Sequence, residues 1–190
     1  MQKSLITKKL IAKSLKDLVQ TQDFEHIDIS AIMQNTGVRR QTFYNYFHDK
    51  DELLNFIFED DFTEIIEDNL QYYDWKQEIE FLLAYFDQNK LFYKKVFGYS
   101  LHREFENFVY TKCYILMEKV ISDSEKLATY RWTEAEQDFF CEYNAIAIYQ
   151  LIKKRLPYAQ GLSHLSQILI KNISAQIQSY QANADVAASI

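Results

Sequence analysis

The residues of this chain best suited to chemistry lie between Gly37 and Leu54, in the stretch GVRRQTFYNYFHDKDELL. Arginine offers a planar fork of donors that fits a guanine edge, and glutamine a donor–acceptor pair that fits adenine. Tyrosine rings pack on sugars or thymine methyls while their hydroxyls reach phosphates. Arg40, Gln41 and Tyr44 are therefore candidates for base contact, and Arg39, Thr42, Asn45, Tyr46 and Lys50 for contact with phosphates or the groove margin. Phosphate contacts fix position and carry no sequence information. The chemistry is recognition of double-stranded DNA.

Catalysis finds no such support. Adjacent acids such as Asp60-Asp61 and Glu67-Asp68 point about 100° apart on a helix, and no nucleophile or base accompanies them. His102, Glu104 and Glu106 are spaced two apart and do not share a helix face, so a metal site is not expected. No GxxxxGK[ST], GxSxG or HExxH occurs. The expectation is a protein that is no enzyme and carries no cofactor.

Helices must position these groups. With three glycines and one proline the chain lacks the turn punctuation that sheets need, and nearly half its residues are apolar, so an all-α fold is expected. Apolar residues at helical spacing predict a first helix over 3–20. Asp28 caps a second that stops at Gly37, a third runs from Arg39 to about Tyr46, and Asp49 caps a fourth. Further helices are expected over 75–88 and 90–97, around Phe105–Val120, from a Thr133 cap to Leu156, and after Gly161 and Ser163 as far as Tyr180. The second and third, joined at Gly37, have helix-turn-helix spacing over about 28–47. Val38, Phe43 and Phe47 would bolt the third helix to the core, turning its arginines outward.

Charge divides the chain in the same way. Residues 1–50 hold eight Lys/Arg against five Asp/Glu, and the remainder thirteen against twenty-two. A basic end on an acidic body suits an anionic partner met by that end alone. Residues 1–50 are expected to form a DNA-binding domain, 51–181 a helical regulatory and dimerisation domain, and 182–190 a loose tail. Cys113 and Cys141 read as reduced core residues. No apolar run of membrane-spanning length occurs, and the expected location is cytoplasmic, at the nucleoid.

Gly37-Val38, Thr42-Phe43-Tyr44, Tyr46-Phe47 and Lys50-Asp51-Glu52-Leu53 together spell G-V-x-x-x-T-[FL]-Y-x-[YH]-F-x-x-K-[DE]-E-L. This resembles the TetR family of bacterial transcriptional regulators, strongly over about residues 1–55 and in helix layout beyond. The resemblance implies about nine helices, a homodimer and a palindromic operator. It also implies base contacts from Arg40, Gln41 and Tyr44, with phosphate contacts from Thr42, Tyr46 and Lys50. Two positions depart from the family pattern: Arg39 stands where Ser or Thr often caps the third helix, and Asp28 where Thr or Ser often touches phosphate. Asp28 caps well but repels phosphate, which leaves Ser30 as a weak candidate there.

For the dimer, apolar surface is expected from Ile146, Ile148, Tyr149 and Ile152 on one late helix and from the Leu165–Ile177 stripe on the other. The rings Tyr72, Tyr73, Trp75, Phe81, Tyr85, Phe86, Phe92, Tyr93 and Phe97 suit either a ligand pocket or a filled core. FDQNKLFYKKVF (86–97), together with IMQNTGVRRQTFYNYF, resembles regulators of dihydroxyacetone kinase operons. In that group the regulator acts as an activator, and its effector is a kinase-subunit-like protein carrying dihydroxyacetone. Two alternatives stay open, a small-molecule-responsive repressor with an aromatic pocket and an all-helical adaptor that binds only protein.

Overall fold

In the computed structural model, which describes residues 2–66, 74–98, 103–127, 130–158 and 161–187, the expected helices form, most within a few residues of their predicted bounds and two running on past Val120 and Tyr180. They are α1 (Gln2–Thr21), α2 (Ile29–Thr36), α3 (Lys50–Ile66), α4 (Trp75–Gln88), α5 (Lys90–Phe97), α6 (Arg103–Leu127), α7 (Glu134–Arg155) and α8 (Ser166–Ala187). With the short 3-10 helix Arg40–Asn45 they make up, among the described residues, the nine that the resemblance implies, and single 3-10 turns lie at Phe24–His26 and Ser163–Leu165. No strand occurs, and no helix is long and apolar enough to cross a membrane, among the described residues.

The chain divides into two compact units, one from residues 1–65 and 89–108 and the other from 66–88 and 109–190. The first is larger than the 1–50 segment because α3 and α5 join it. Lys9 and Lys16, seven residues apart on one face of α1, pair with Asp60 (3.3 Å) and Asp61 (2.5 Å) of α3. From α5, the Lys95 ammonium donates to the carbonyls of Val19 (2.8 Å) and Gln22 (2.9 Å). Val19 stands in the last turn of α1 and Gln22 just beyond it, where carbonyls have no helical partner and where no basic residue of α1 itself stands. Within this unit the rings fill a core: Phe92 meets Tyr93 edge-on at 5.0 Å, and Tyr93 stacks on Phe105 at 6.0 Å with planes 7° apart.

In the second unit, Asp87 closes α4 onto the chain between α7 and α8. Its carboxylate accepts from the backbone N–H of Leu162 (2.6 Å) and Ser163 (2.7 Å) and from the Ser163 hydroxyl (2.5 Å). A Cβ at Gly161 would lie 2.6 Å from Asp87 Oδ2, so glycine is required for this approach. Glu78 is buried and pairs with Lys119. Asn144 and Gln176 exchange amide hydrogen bonds of 3.0 and 3.2 Å between α7 and α8, and Asn144 Nδ2 also donates to Phe140 O at 2.9 Å. Thr133 and Glu136 form a capping box at the start of α7. Cys113 and Cys141 are buried free thiols, each pushed up to about 12 by burial, and are unreactive at neutral pH.

Three expectations need correction. Ile148, Tyr149 and Ile152 do not face outward; they are buried within the unit, as are Ile173 and Ile177 of α8. The outward apolar row of α7 is Phe139, Tyr143 and Ile146, and Ile168 of α8 is also exposed. Because α7 carries apolar residues on two faces, periodicity did not decide which one packs. Helix α8 continues to Ala187, so residues 182–187 are helical rather than loose; Ala182, Ala184 and Ala187 favour helix there. Asp60 and Asp61, set aside as acid–base candidates with no base beside them, are each paired with a lysine of α1. Glu67-Asp68, Tyr72, Tyr73, His102 and residues 188–190 lie outside the described residues.

Candidate nucleic-acid interface

Local chemistry sets the bend before the candidate site. The Asp28 carboxylate accepts from the Ala31 N–H at 2.7 Å and so caps α2. At the other end Gly37 adopts φ 70°, ψ 10°, the one positive φ among the described residues, and its N–H bonds Gln34 O at 3.2 Å. A side chain is disfavoured in that conformation, and glycine is not. The Thr36 hydroxyl donates to Met33 O (2.7 Å) and accepts from Val38 N (3.1 Å), which fixes the exit of the chain. Arg39 follows in an extended conformation with no side-chain cap bond, as its departure from Ser or Thr implies.

Residues 40–45 then coil as a 3-10 helix, with Thr42 N bonded to Arg39 O and Tyr46 N to Phe43 O, both at 2.9 Å. Phe43 is fully buried and lies 5.6 Å from Phe47, which lies 5.5 Å from Phe56. This ring series anchors the segment. Arg39, Arg40, Gln41, Tyr44 and Asn45 are exposed, and Thr42 and Tyr46 are half-buried. The site residues from 39 to 46 thus share one short element above a buried phenylalanine. Ser30 on α2 is exposed as well.

Two contributions were missed in the sequence. Buried Ser14 of α1 donates to Ile32 O of α2 at 2.7 Å and accepts from Asn35 Nδ2 at 3.2 Å, tying the two helices together. A serine among Ile11, Ala12 and Leu15 on the apolar face of α1 was the available signal. Lys8 sits over the rings of Phe47 (5.5 Å) and Phe56 (5.3 Å), extending cationic surface from α1 beside the ring series.

Lys50 is placed differently from the expectation. Its ammonium donates to Ile27 O (2.7 Å) and Phe24 O (3.3 Å) and lies 4.6 Å from the Phe24 ring centroid. Burial holds it below the ordinary lysine range, partly offset by Asp51, Asp28 and Glu25. These contacts fasten the connection between α1 and α2 to the start of α3. Asp49 caps α3 through Glu52 N at 2.9 Å, and Glu52 reaches back to His48 N at 2.6 Å. Lys50→Met keeps the apolar stem and removes the donors. It is expected to cost about 1–3 kcal/mol in urea unfolding of the DNA-free protein. An unchanged unfolding midpoint would show that the carbonyl contacts contribute nothing.

The arrangement is a donor-rich surface on a bent helix pair, with Asp28 turned to backbone capping. Residues 73–156 match the family described as the TetR-type "Transcriptional regulator C-terminal region". Over 182 residues the chain is 42% identical to the "HTH-type dhaKLM operon transcriptional activator DhaS" of Lactococcus lactis subsp. lactis, covering 96% of each chain. Its fold is similar to that of a solved structure titled "Dihydroxyacetone kinase operon activator DhaS", with a TM-score of 0.78 and 42% identity over 93% of this chain and 99% of that one. Both relatives are regulators and not enzymes. The chain belongs to the TetR family of transcriptional regulators.

Proposed function

We propose that this regulator activates a dihydroxyacetone kinase operon by binding a palindromic operator as a homodimer. One observation carries the reading. The exposed Arg39–Tyr44 face, held out by buried Phe43, occurs in a chain 42% identical over 96% of its length to a protein named for that activity. Arg40, Gln41 and Tyr44 contact bases; Arg39, Thr42, Asn45 and Tyr46 contact phosphates or the groove margin. Lys50 serves mainly to hold the bend. Residues 1–50 supply the DNA-binding part and 51–181 the regulatory and dimerising part. The protein works in the cytoplasm, at the nucleoid.

Two copies pair through the outward row of α7 and the exposed side of α8, because one six-residue helix offers too few contacts for a specific site. The effector is a kinase-subunit-like protein. Close stacking of Tyr93 on Phe105 favours a filled core in the first unit, and with it an effector bound at the surface rather than a small molecule enclosed among these rings.

Titration against DNA from upstream of its own operon, at several salt concentrations, tests the first step. The expected result is a steep salt slope and a site bound about 10³-fold or more above random DNA. Arg40→Ala should lose roughly 1–3 kcal/mol at one base pair and relax discrimination there. Equal loss on all sequences would place Arg40 on phosphate, and no sequence preference in the parent would favour the adaptor. A kinase-like protein retained in pull-down supports the proposed effector. A thermal shift with a metabolite alone supports the repressor.

A further inference from the structure

Arg40 and Tyr44 are both exposed, yet each is held. The Tyr44 ring stands edge-on to buried Phe43, at 5.5 Å and 80°, so one side of it rests on the core. On its other contact the Arg40 guanidinium lies 6.0 Å from the ring centroid, and Arg40 Nη2 donates to Tyr44 Oη at 3.3 Å. A solvated arginine samples many rotamers, and ordering it on a ligand costs entropy. Here the ordering partner is already in place, built on the ring series that fixes the helix.

We propose that Arg40 and Tyr44 act as one recognition unit, in which Tyr44 is the positioning residue that presets Arg40. The unit reads two neighbouring acceptor positions in the major groove. This rests on the DNA-binding reading above. The hydrogen inventory gives the chemistry. The Tyr44 oxygen accepts from Arg40, so its own proton turns away and is offered outward. Arg40 keeps a fork of N–H groups and has no acceptor at all. Every outward group of the pair therefore donates. Guanine presents O6 and N7, both acceptors, thymine presents O4 and adenine N7; cytosine presents only its amino donor and opposes the pair. The preferred ligand is a guanine for Arg40, next on the same strand to a base other than cytosine for the Tyr44 hydroxyl.

Selection from a randomised duplex library, using the full-length parent, Tyr44→Phe, Arg40→Ala and the double variant, tests this. Phenylalanine keeps the ring against Phe43, so the unfolding midpoint should hold. The parent should enrich a guanine and disfavour cytosine beside it on the same strand. Tyr44→Phe should weaken the guanine preference roughly threefold to tenfold, a larger loss on the selected site than on random DNA. Added to Arg40→Ala, the same change should cost less than it does alone, because the coupling is already gone. An intact guanine preference in Tyr44→Phe, or strictly additive losses, overturns the unit. Enrichment of cytosine beside the guanine on the same strand overturns the acceptor-only reading. A parent that enriches nothing removes DNA recognition altogether, a result distinct from any of these.

Discussion

Phe43→Ala is expected to cost about 3–5 kcal/mol of unfolding free energy and to abolish operator binding. Phe43 is fully buried, touches the rings of Tyr44 and Phe47, and its carbonyl accepts the N–H groups of both Tyr46 and Phe47 at 2.9 Å. Alanine leaves those backbone bonds possible but removes the mass that seats the segment, and the cavity cannot close without moving Phe47. Total stabilities of about 5–15 kcal/mol make such a loss severe. Urea unfolding and operator titration measure the two effects separately. Phe43→Leu, which refills most of the volume, should lose less than about 1.5 kcal/mol and bind. Wild-type stability in Phe43→Ala would mean that the helix 40–45 is not seated by its core ring.

Tyr143→Glu is expected to split the proposed homodimer and lower operator affinity by about 10²-fold or more, since a buried unpaired carboxylate costs on the order of 3 kcal/mol. Phe139, Tyr143 and Ile146 lie at i, i+4 and i+7 on α7 and are 62%, 55% and 45% exposed in the single chain. Phe139 and Tyr143 stack at 5.9 Å with planes 17° apart, a flat apolar surface rare on an isolated monomer. Because Tyr143 is already exposed, the substitution should spare the fold of the subunit. Light scattering with size separation reads the change in mass, and a thermal melt checks the fold. A variant that stays dimeric would place the interface on another face.

How much was legible depended on distance along the chain. The Asp28 cap, the Gly37 stop, the Asp49 cap and the Thr133 cap each involve residues a few positions apart, and all formed as expected. The exposed face of residues 39–45 followed from the same local logic, with Phe43 and Phe47 as anchors. Contacts between distant segments could not be read. Lys50 finds its carbonyl partners 23 and 26 residues away, Asp87 finds Leu162 75 residues away, and Asn144 finds Gln176 32 away. Lysine pattern alone could not separate a phosphate contact from a carbonyl anchor, because both need the same ammonium. For Ile148, Tyr149 and Ile152 the signal was apolar on either face, and only packing chose between them. The 3-10 winding of residues 40–45 has no sequence signature, since six residues make barely two turns of either helix.

The pairing of Lys9 and Lys16 with Asp60 and Asp61 has a consequence for how the regulator searches a genome. Two cations that would attract any stretch of polyanion are already satisfied at home, in a chain of net charge −6. Fewer counterions are then released on arbitrary sequence than the lysine count of α1 alone would give, which lowers the affinity for it relative to a specific site.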